Sequence, residues 1–514
     1  MTKYIIAYDL GTGGNKASLY DLEGRCIKEC FKSYETFYPR SGWHEQNPRK
    51  WWEAVVESTR QLLVESSIKA NEVECLGISG QSLGVVPLDK DGNLLRNTTP
   101  IWSDSRAIPQ TKKFQEEYTE IDWYRITGNG FPMPLYSAFK IMWYRDEEPE
   151  MFKRIDKVVG SKDYINYLLT GVAVTDYSYA SGSGVYDLRG WKYSTDLINI
   201  CNLPREIFPD IVPSTQVIGN LTATAAAELG LTTKVKVVSG GVDNSCMALG
   251  ARAMKEGRVY NSLGSSSWIA VTSSQPLIND KAKPFVFAHV IPGMFTSAVS
   301  TFAAGSSFRW VRDNLCRDLI HQAQLKNVDV YELMTAEAKE SPVGSRGLLF
   351  NPNMAGGTTM SPSINIRGAF LGMDLGHSRA DMIRATMEGV ALELRIALDI
   401  LSNMVKLSDE MLVVGGGSRS QVWRQIFSDV YNMKVVKTNI DQQAAALGAA
   451  ACAAVGTGLW PNFDIVDEVH KVEDVTLPIA ANNKVYEKLI PIFIKSEQYL
   501  ADLGDQIIAL ELKK

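Results

Sequence analysis

One short pattern occurs twice in this chain. Tyr4 to Tyr8 reads as a buried central strand that ends at Asp9, Leu10, Gly11, Thr12, Gly13 and Gly14, and Lys16 to Tyr20 reads as the strand that follows. Much later, Arg258 to Asn261 runs through Ser262, Leu263, Gly264, Ser265, Ser266 and Ser267 into Trp268 to Val271. Leu10 to Gly13 and Leu263 to Ser266 superpose without a gap. Turns rich in glycine and hydroxyl present several amide donors to an anion. Two such units suggest two related lobes that face each other and grip a polyphosphate from both sides. Thr12 adds a hydroxyl, and Asp9 is placed to hold a hydrated magnesium ion. Ser262 replaces Asp9 in the second copy, so metal handling is expected from the first lobe only. Taken alone, the first turn also reads as a hairpin bend that merely needs positive φ.

A second stretch carries an acid where a strand gives way to a helix. Val237 and Val238 lead through Ser239, Gly240, Gly241 and Val242 into Asp243, Asn244 and Ser245, after which Cys246, Met247, Leu249, Ala251 and Met254 read as a helix. The glycines let a substrate approach the backbone, and the first amides of the helix favour an ionised carboxylate able to accept a proton. Asp243 is therefore the candidate general base. The competing reading is a plain helix N-cap.

Other segments suit a polyol. Cys75 to Ser79 reads as a strand that ends in Gly80, Gln81, Ser82, Leu83 and Gly84, and Ile101 to Arg106 contains Trp102 and Asp104. Hydroxyls want amide and carboxylate partners, while an indole face covers C–H surface. Asp104 and Arg106 fit a structural ion pair equally well. Of the tryptophans between residues 43 and 52, Trp51 and Trp52 are expected in the core. Lys140 to Glu148 and Asp163 to Gly171 read as helices, with Thr175 to Gly184 a polar loop lacking chemistry. Ser378 caps a long helix whose Ile383, Met387, Val390, Leu394, Leu398 and Leu401 share one stripe. Met411 to Val414, then Gly415, Gly416, Gly417 and Ser418, then Val422 to Tyr431, give strand, glycine turn and helix, against which a nucleotide can lie. The small residues of Gln443 to Val455 suit a slot for a flat base or a tight helix pair. Asn482 to Lys514 reads as a terminal amphipathic helix.

Composition excludes several classes. A net charge of -5 gives no basic field for nucleic acid, and five scattered His offer little for a metal cluster, so any metal must be held by oxygen. Seven Cys without CxxC spacing suggest reduced thiols. With no basic-then-apolar leader and no membrane-length run, the expectation is a soluble, cytoplasmic protein with no membrane partner. A homodimer is the commonest expectation for such enzymes.

Asp9 to Thr12, Gly241 to Asn244, Leu263 to Ser266, and Gly415 to Ser418 followed by Ala444 to Ala450 resemble, in order and spacing, the FGGY carbohydrate kinases. Trp43, Glu45, Gln46 and Trp52, the Lys140, Trp143 and Pro149 segment, and Leu168 to Gly171 add lesser matches, and xylulokinase-type members look most similar. The resemblance implies an α/β fold of two actin-like (ribonuclease H-like) lobes of the hexokinase, Hsp70 and actin superfamily, with an interlobe cleft. Residues 1–255 would bind sugar and metal and carry the base, and residues 256–514 would bind ATP. It further implies transfer of the γ-phosphate of ATP, with Mg2+, to a small open-chain sugar such as D-xylulose or a related ketose. Asp243 would be the base, with Asn244 beside the sugar, and Asp9 would orient the metal. Gly11, Thr12, Gly13, Gly264 and Ser265 would hold the phosphates, and Gly415, Gly416 and Ser418 the adenosine. Gln81, Ser82, Leu83, Trp102 and Asp104 would face the sugar. Two departures stand out: Ser82 and Leu83 where xylulokinases carry Met and His, and Gly356, Gly357, Thr358 where Gly-Glu-Arg is common. Gluconate, an alditol or another pentulose are therefore alternative acceptors. A non-catalytic sugar sensor and a nucleotide-dependent chaperone or filament protein are readings from other classes.

Overall fold

The computed structural model describes residues 3–510. The chain divides into two compact units. The first takes the chain up to Lys255 together with Thr272–Ser297 and Gln443–His470; the second takes Glu256–Val271, Ala298–Gln442 and the chain from Lys471 onward. The break after Lys255 is thus one of several places where the chain passes from one unit to the other.

The first unit is built on the strand Tyr4–Leu10, whose Ile5, Ile6, Ala7, Tyr8 and Leu10 are fully buried. Such a run suits a central strand covered on both faces. It pairs antiparallel with Gly14–Tyr20 and parallel with Val73–Gly80, which sets Asp9 between Lys16 and Ser79. Lys236–Val238 lies parallel to Val73–Gly80 on its other side, and Val217–Asn220 runs antiparallel at the edge. Helix Pro48–Ser66, capped by Asn47, covers this sheet with Trp51, Val55 and Leu62. Trp52 departs from the expected core: it is half-buried, and its Nε1 donates to Glu228 at 2.7 Å.

The alanine-rich helix Ala444–Gly456 belongs to this unit and is a tight packing element, not a base slot. A Cβ on Gly77 would sit 2.3 Å from the Ala449 carbonyl oxygen, and one on Gly448 would sit 1.9 Å from that of Cys246. Only small residues permit backbones this close. Thr175 to Gly184 is not a loop: Val174–Asp176 pairs parallel with Asp210–Val212, and Asp176 caps the short helix Tyr177–Ser181.

The second unit repeats the arrangement of the first. Val259–Leu263 pairs antiparallel with Ser267–Ser273 and parallel with Glu410–Val414, followed by Lys434–Thr438 in parallel and Val472–Thr476 antiparallel. The two bends differ by one residue, because Leu10 pairs with Asn15 whereas Leu263 pairs with Ser267. Helix Arg379–Ser402 begins with reciprocal bonds between Ser378 and Asp381, and its six expected stripe residues are all buried. Burying each such side chain is worth about 1.5–3 kcal/mol. The last described helix is Ala480–Ala509; residues 511–514 of the expected terminal helix lie outside the described residues. No helix among the described residues is long and apolar enough to cross a membrane.

Glu393 on the long helix faces Glu497 on the last helix, both buried, with Asn353 donating to Glu497 at 3.4 Å. Burial first, and then the charge of Glu497, hold the Glu393 carboxyl well above its ordinary value of 4.5. A carboxyl raised in the folded state contributes stability below its unfolded pKa, and that stability is lost as pH rises through the folded value. Glu393→Gln removes the titration, so its melting temperature relative to the wild type should climb between about pH 5 and about pH 8. Parallel melting curves across that range would contradict the pairing.

Candidate functional site

In the first unit the chain leaves Lys236–Val238, presses Gly240 against the neighbouring strand, and resumes beside that same strand as Gly241–Val242 parallel to Ser79–Gly80. Gly240 has φ +70°, and a Cβ there would lie 2.1 Å from the Ile78 carbonyl oxygen. The helix Asp243–Gly250 starts directly after, ending at Gly250 and not at Met254, with the backbone turning left-handed at Arg252, φ +63°. Val242 occupies the N-cap position and no side chain caps the helix, so Asp243 is not spent as a cap. Its Oδ1 accepts from the Asn244 amide at 2.8 Å and from Asn244 Nδ2 at 3.3 Å. The residue keeps a partly open face, yet the surrounding protein pushes its pKa up to about 7; burial dominates, the Asn244 amide opposes it, and the charge of Asp9 adds to it. A carboxylate poised near neutrality suits proton acceptance.

Asp9 is half-buried, accepts from Ser79 Oγ at 3.4 Å, and is raised by burial against the opposing pull of Lys16. The bend after it separates two kinds of glycine. A Cβ on Gly14 would collide with the Lys32 carbonyl at 2.4 Å, so packing requires that glycine. A Cβ on Gly13 would meet nothing within 4 Å, and one on Gly11 only the Gly14 oxygen at 3.7 Å. Nothing in the folded chain demands glycine at those two positions, although the Gly11 amide itself donates to the Gly14 carbonyl at 3.1 Å.

Side chains that the sequence did not single out by role hold the bend in place. Gln46, fully buried, donates from Nε2 to the Thr12 carbonyl at 2.7 Å and to Thr36 Oγ1 at 2.8 Å. Its Oε1 accepts from Trp51 Nε1 at 2.9 Å and Gln81 Nε2 at 2.8 Å, so the whole amide is satisfied. The Tyr34 hydroxyl donates to the Gly11 carbonyl. Gln46 stood only among the lesser family matches, and Tyr34 ends a strand with no local signal.

Gln81 also donates its backbone amide to Leu10, and its Oε1, buried, has no partner. Trp102 is 36% exposed and its Nε1 donates to Thr12 Oγ1 at 2.9 Å, which ties the indole to the glycine bend. Ser82 is almost fully buried. Leu83 differs from expectation: its backbone is left-handed at φ +60°, and its side chain is 1% exposed within an aromatic-rich core, so it offers a ligand no side-chain surface. Lys140 fixes this loop, donating to the carbonyls of Leu83 at 3.1 Å and Ile101 at 2.6 Å, and burial pulls its pKa down to about 7. Asp104 must be corrected. It is fully buried and its oxygens accept from the His44 amide at 2.6 Å and from Arg106 Nε and Nη2 at 2.9 and 2.8 Å. Arg106 in turn pairs with Glu45 at 2.6 Å and lies over the Trp43 ring at 3.9 Å. Asp104 is a structural ion pair with no oxygen to offer a sugar.

In the second unit, Gly264 closes its bend through a 3.0 Å bond to the Ser266 carbonyl, and a Cβ there would meet only that oxygen at 3.5 Å. The Ser265 carbonyl accepts from the amides of Ala304 and Ser306, and Arg309 Nη2 donates to Ser265 Oγ at 2.9 Å. Arg309 brings a cation to this bend that sequence reasoning missed, since the helix Gly305–Leu315 shows no motif. Gly415 has φ +92°, and a Cβ on Gly417 would strike the Leu263 side chain at 2.2 Å; packing requires both. A Cβ on Gly416 would meet only Gln442 Nε2 at 3.6 Å, and Ser418 is buried with its hydroxyl unpartnered.

Comparison with known proteins agrees with this geometry. Residues 4–250 match the N-terminal domain, and residues 259–457 the C-terminal domain, of the FGGY family of carbohydrate kinases. A xylulose kinase of Bacillus subtilis (strain 168) is 31% identical over 507 residues, covering 98% of each chain. A ligand-bound xylulose kinase structure from Lactobacillus acidophilus superposes with a TM-score of 0.89 at 26% identity, over 98% of this chain and all of that one. A gluconate kinase structure from Lactobacillus acidophilus gives 0.88 at 26% identity, over 99% of this chain and all of that one.

The two kinds of glycine make a test. Gly11→Ala should leave the free energy of unfolding measured in urea within about 0.5 kcal/mol of the wild type or slightly higher, because the site is open and the unfolded chain loses entropy. Gly240→Ala should cost more than about 1 kcal/mol, through positive φ and the clash with Ile78. Equal effects at both positions would contradict the distinction.

Proposed function

Because the chain belongs to the FGGY family of carbohydrate kinases, we propose that it transfers the γ-phosphoryl group of ATP to a hydroxyl of a small open-chain sugar, D-xylulose first. The observation that carries this is Asp243: an uncapped, half-buried acid at a helix start, raised to about 7, in the electrostatic field of Asp9. Gluconate is the second candidate, favoured by Ser82 and Leu83 in place of Met and His and by the similarity to a gluconate kinase. All seven cysteines are free thiols, which fits a cytoplasmic setting.

Asp243, ionised, would accept the proton of the attacking hydroxyl and align its oxygen with the γ-phosphorus as bonding develops. Asn244 shares hydrogen bonds with that carboxylate and so sets its rotamer. Trp102 would cover the C–H face of the sugar, and the unpartnered Oε1 of Gln81 would accept a sugar hydroxyl. Ser82 and Leu83 would shape the pocket through their backbone. The amides at Thr12 and Gly13 would take phosphate oxygens beside Gly11, whose own amide donates to the Gly14 carbonyl, and Ser265, with Arg309 beside it, would do so next to Gly264, whose amide donates to the Ser266 carbonyl. Gly416, with Gly415 and Ser418 setting its bend, would lie against the adenosine.

The residues fit a magnesium ion carried by the nucleotide. Burial raises both Asp9 and Asp243, and the charge of Asp9 raises Asp243 further, which a cation would relieve; no group of three or more ligating His, Cys, Asp or Glu exists among the described residues. Mg2+ is commonly held by one or two carboxylates plus phosphates and water, and Asp9 is the carboxylate assigned here. Bound there, it would supply charge neutralisation on the transferring group.

Coupled ADP release across pentuloses, hexuloses, alditols and aldonates should show the highest kcat/KM with D-xylulose; no sugar-dependent ADP with any of them would leave a binding-only protein. Asp243→Asn should lower kcat by about a hundredfold or more with an unchanged melting temperature. The base must be ionised, so kcat/KM should rise with pH and flatten above an inflexion at about 7, the value of the free enzyme's acid. A profile flat from about pH 5 to about pH 8 would exclude Asp243 as the base. Gly11→Ala should raise the KM for ATP while leaving that for the sugar near the wild type.

A further inference from the structure

We infer, on the reading that Asp243 is the base, that Asp176 and Ser178 are positioning residues for it, acting through the Val242 peptide. The segment Thr175 to Gly184 carries no chemistry in sequence, yet it lies directly behind the acid. Ser178 Oγ accepts from the Val242 amide at 2.9 Å, one residue before Asp243, and donates to Asp176 Oδ2 at 2.5 Å. Asp176 Oδ2 also accepts from the Ser178 amide at 2.9 Å and from Ser214 Oγ at 2.7 Å, which fixes its orientation. Its Oδ1 pairs with Lys162 Nζ at 3.0 Å.

The same network holds the preceding peptides. The Ser239 carbonyl accepts from Asn166 Nδ2 at 2.8 Å and Lys162 Nζ at 3.3 Å, and the Ser239 amide donates to Gln216 at 2.9 Å. The Gly240 amide donates to the Ser214 carbonyl at 3.0 Å. Lys162 is further paired with Asp163, whose second oxygen accepts from Thr175 Oγ1 at 2.7 Å. Lys162, Asp163, Asp176 and Ser178 are all fully buried. Each peptide from Ser239 to Val242 therefore has a fixed partner, either in this network or in the sheet.

Stability alone does not call for such a device. A buried ion pair is commonly replaceable by apolar packing without loss, whereas its directional bonds fix geometry that apolar contacts do not. An error of about 1 Å in a reacting group costs about a hundredfold in rate, so the Val242 amide is where a hydroxyl has most leverage on the acid. Neither Asp176 nor Ser178 needs to touch the sugar or the nucleotide.

The test is steady-state kinetics of Ser178→Ala, Ser178→Thr and Asp176→Asn in the full chain, beside Asp243→Asn. Ser178→Ala and Asp176→Asn should each lower kcat by about 10- to 100-fold with KM for sugar and ATP within about threefold of the wild type. Ser178→Thr, which keeps the hydroxyl, should recover most of the rate. If Asp243→Asn retains turnover, the base reading falls. If Asp243→Asn loses turnover while Ser178→Ala keeps the wild-type kcat, the positioning role alone falls. It also falls if the kcat loss in Ser178→Ala and Ser178→Thr merely tracks a lowered folded fraction measured by circular dichroism.

Discussion

The steric contact that the rest of the first unit depends on is the close approach of Gly240 to Ile78. A side chain there would place Cβ 2.1 Å from a backbone oxygen, so the strand end can lie this close to its neighbour only without one. That approach brings Gly241–Val242 into register with Ser79–Gly80 and starts a helix at Asp243, beside the strand that carries Asp9. Two carboxylates are thereby set within reach of each other's field in a partly desolvated place. Burial first, with the charge of Asp9 adding to it, raises the proton affinity of Asp243 toward neutrality. Backbone packing, charge and reactivity are here consequences of one close approach.

Both units use one strand order, with a bend between the first two strands and a crossover to a parallel third. The chemistry on the two bends differs. Thr12 Oγ1 is tied to an indole that can cover a sugar, while Ser265 Oγ is tied to the guanidinium of Arg309. Asp9 has Ser262 as its counterpart, so a carboxylate stands before the first bend and a hydroxyl at the matching position of the second. The duplicated scaffold supplies amides twice, and single side chains specialise each copy.

Much of this was legible in sequence because periodicity changes where structure changes. Val237 to Gly250 shows a buried run, then glycines, then helical spacing, and the acid falls at the junction. The duplicated hairpins and the capped helix at Ser378 were readable for the same reason. Glycines were not: Gly11 and Gly14 look alike on paper, yet one is open and the other is wedged against Lys32. Asp104 could not be settled because its decisive partner, the His44 amide, lies far away in the chain. Trp51 and Trp52 are adjacent letters about 100° apart on one helix, the first inside the core and the second at its edge. The helix Tyr177–Ser181 is too short for its period to register, and the role of Ser178 depends on an amide from a distant strand. That Ala444–Gly456 packs on the first unit follows from glycines on three elements, a pattern without a local signature.

The central claim is that the acid at the end of this pinned strand is where the alcohol is activated. A crystal structure with D-xylulose, Mg2+ and a non-hydrolysable ATP analogue measures it most directly. The account predicts a sugar hydroxyl within about 2.6–3.2 Å of the Asp243 carboxylate and in line with the γ-phosphorus. A sugar whose hydroxyls all lie beyond hydrogen-bond reach of Asp243, with another group aligned on the attacking oxygen, would contradict it.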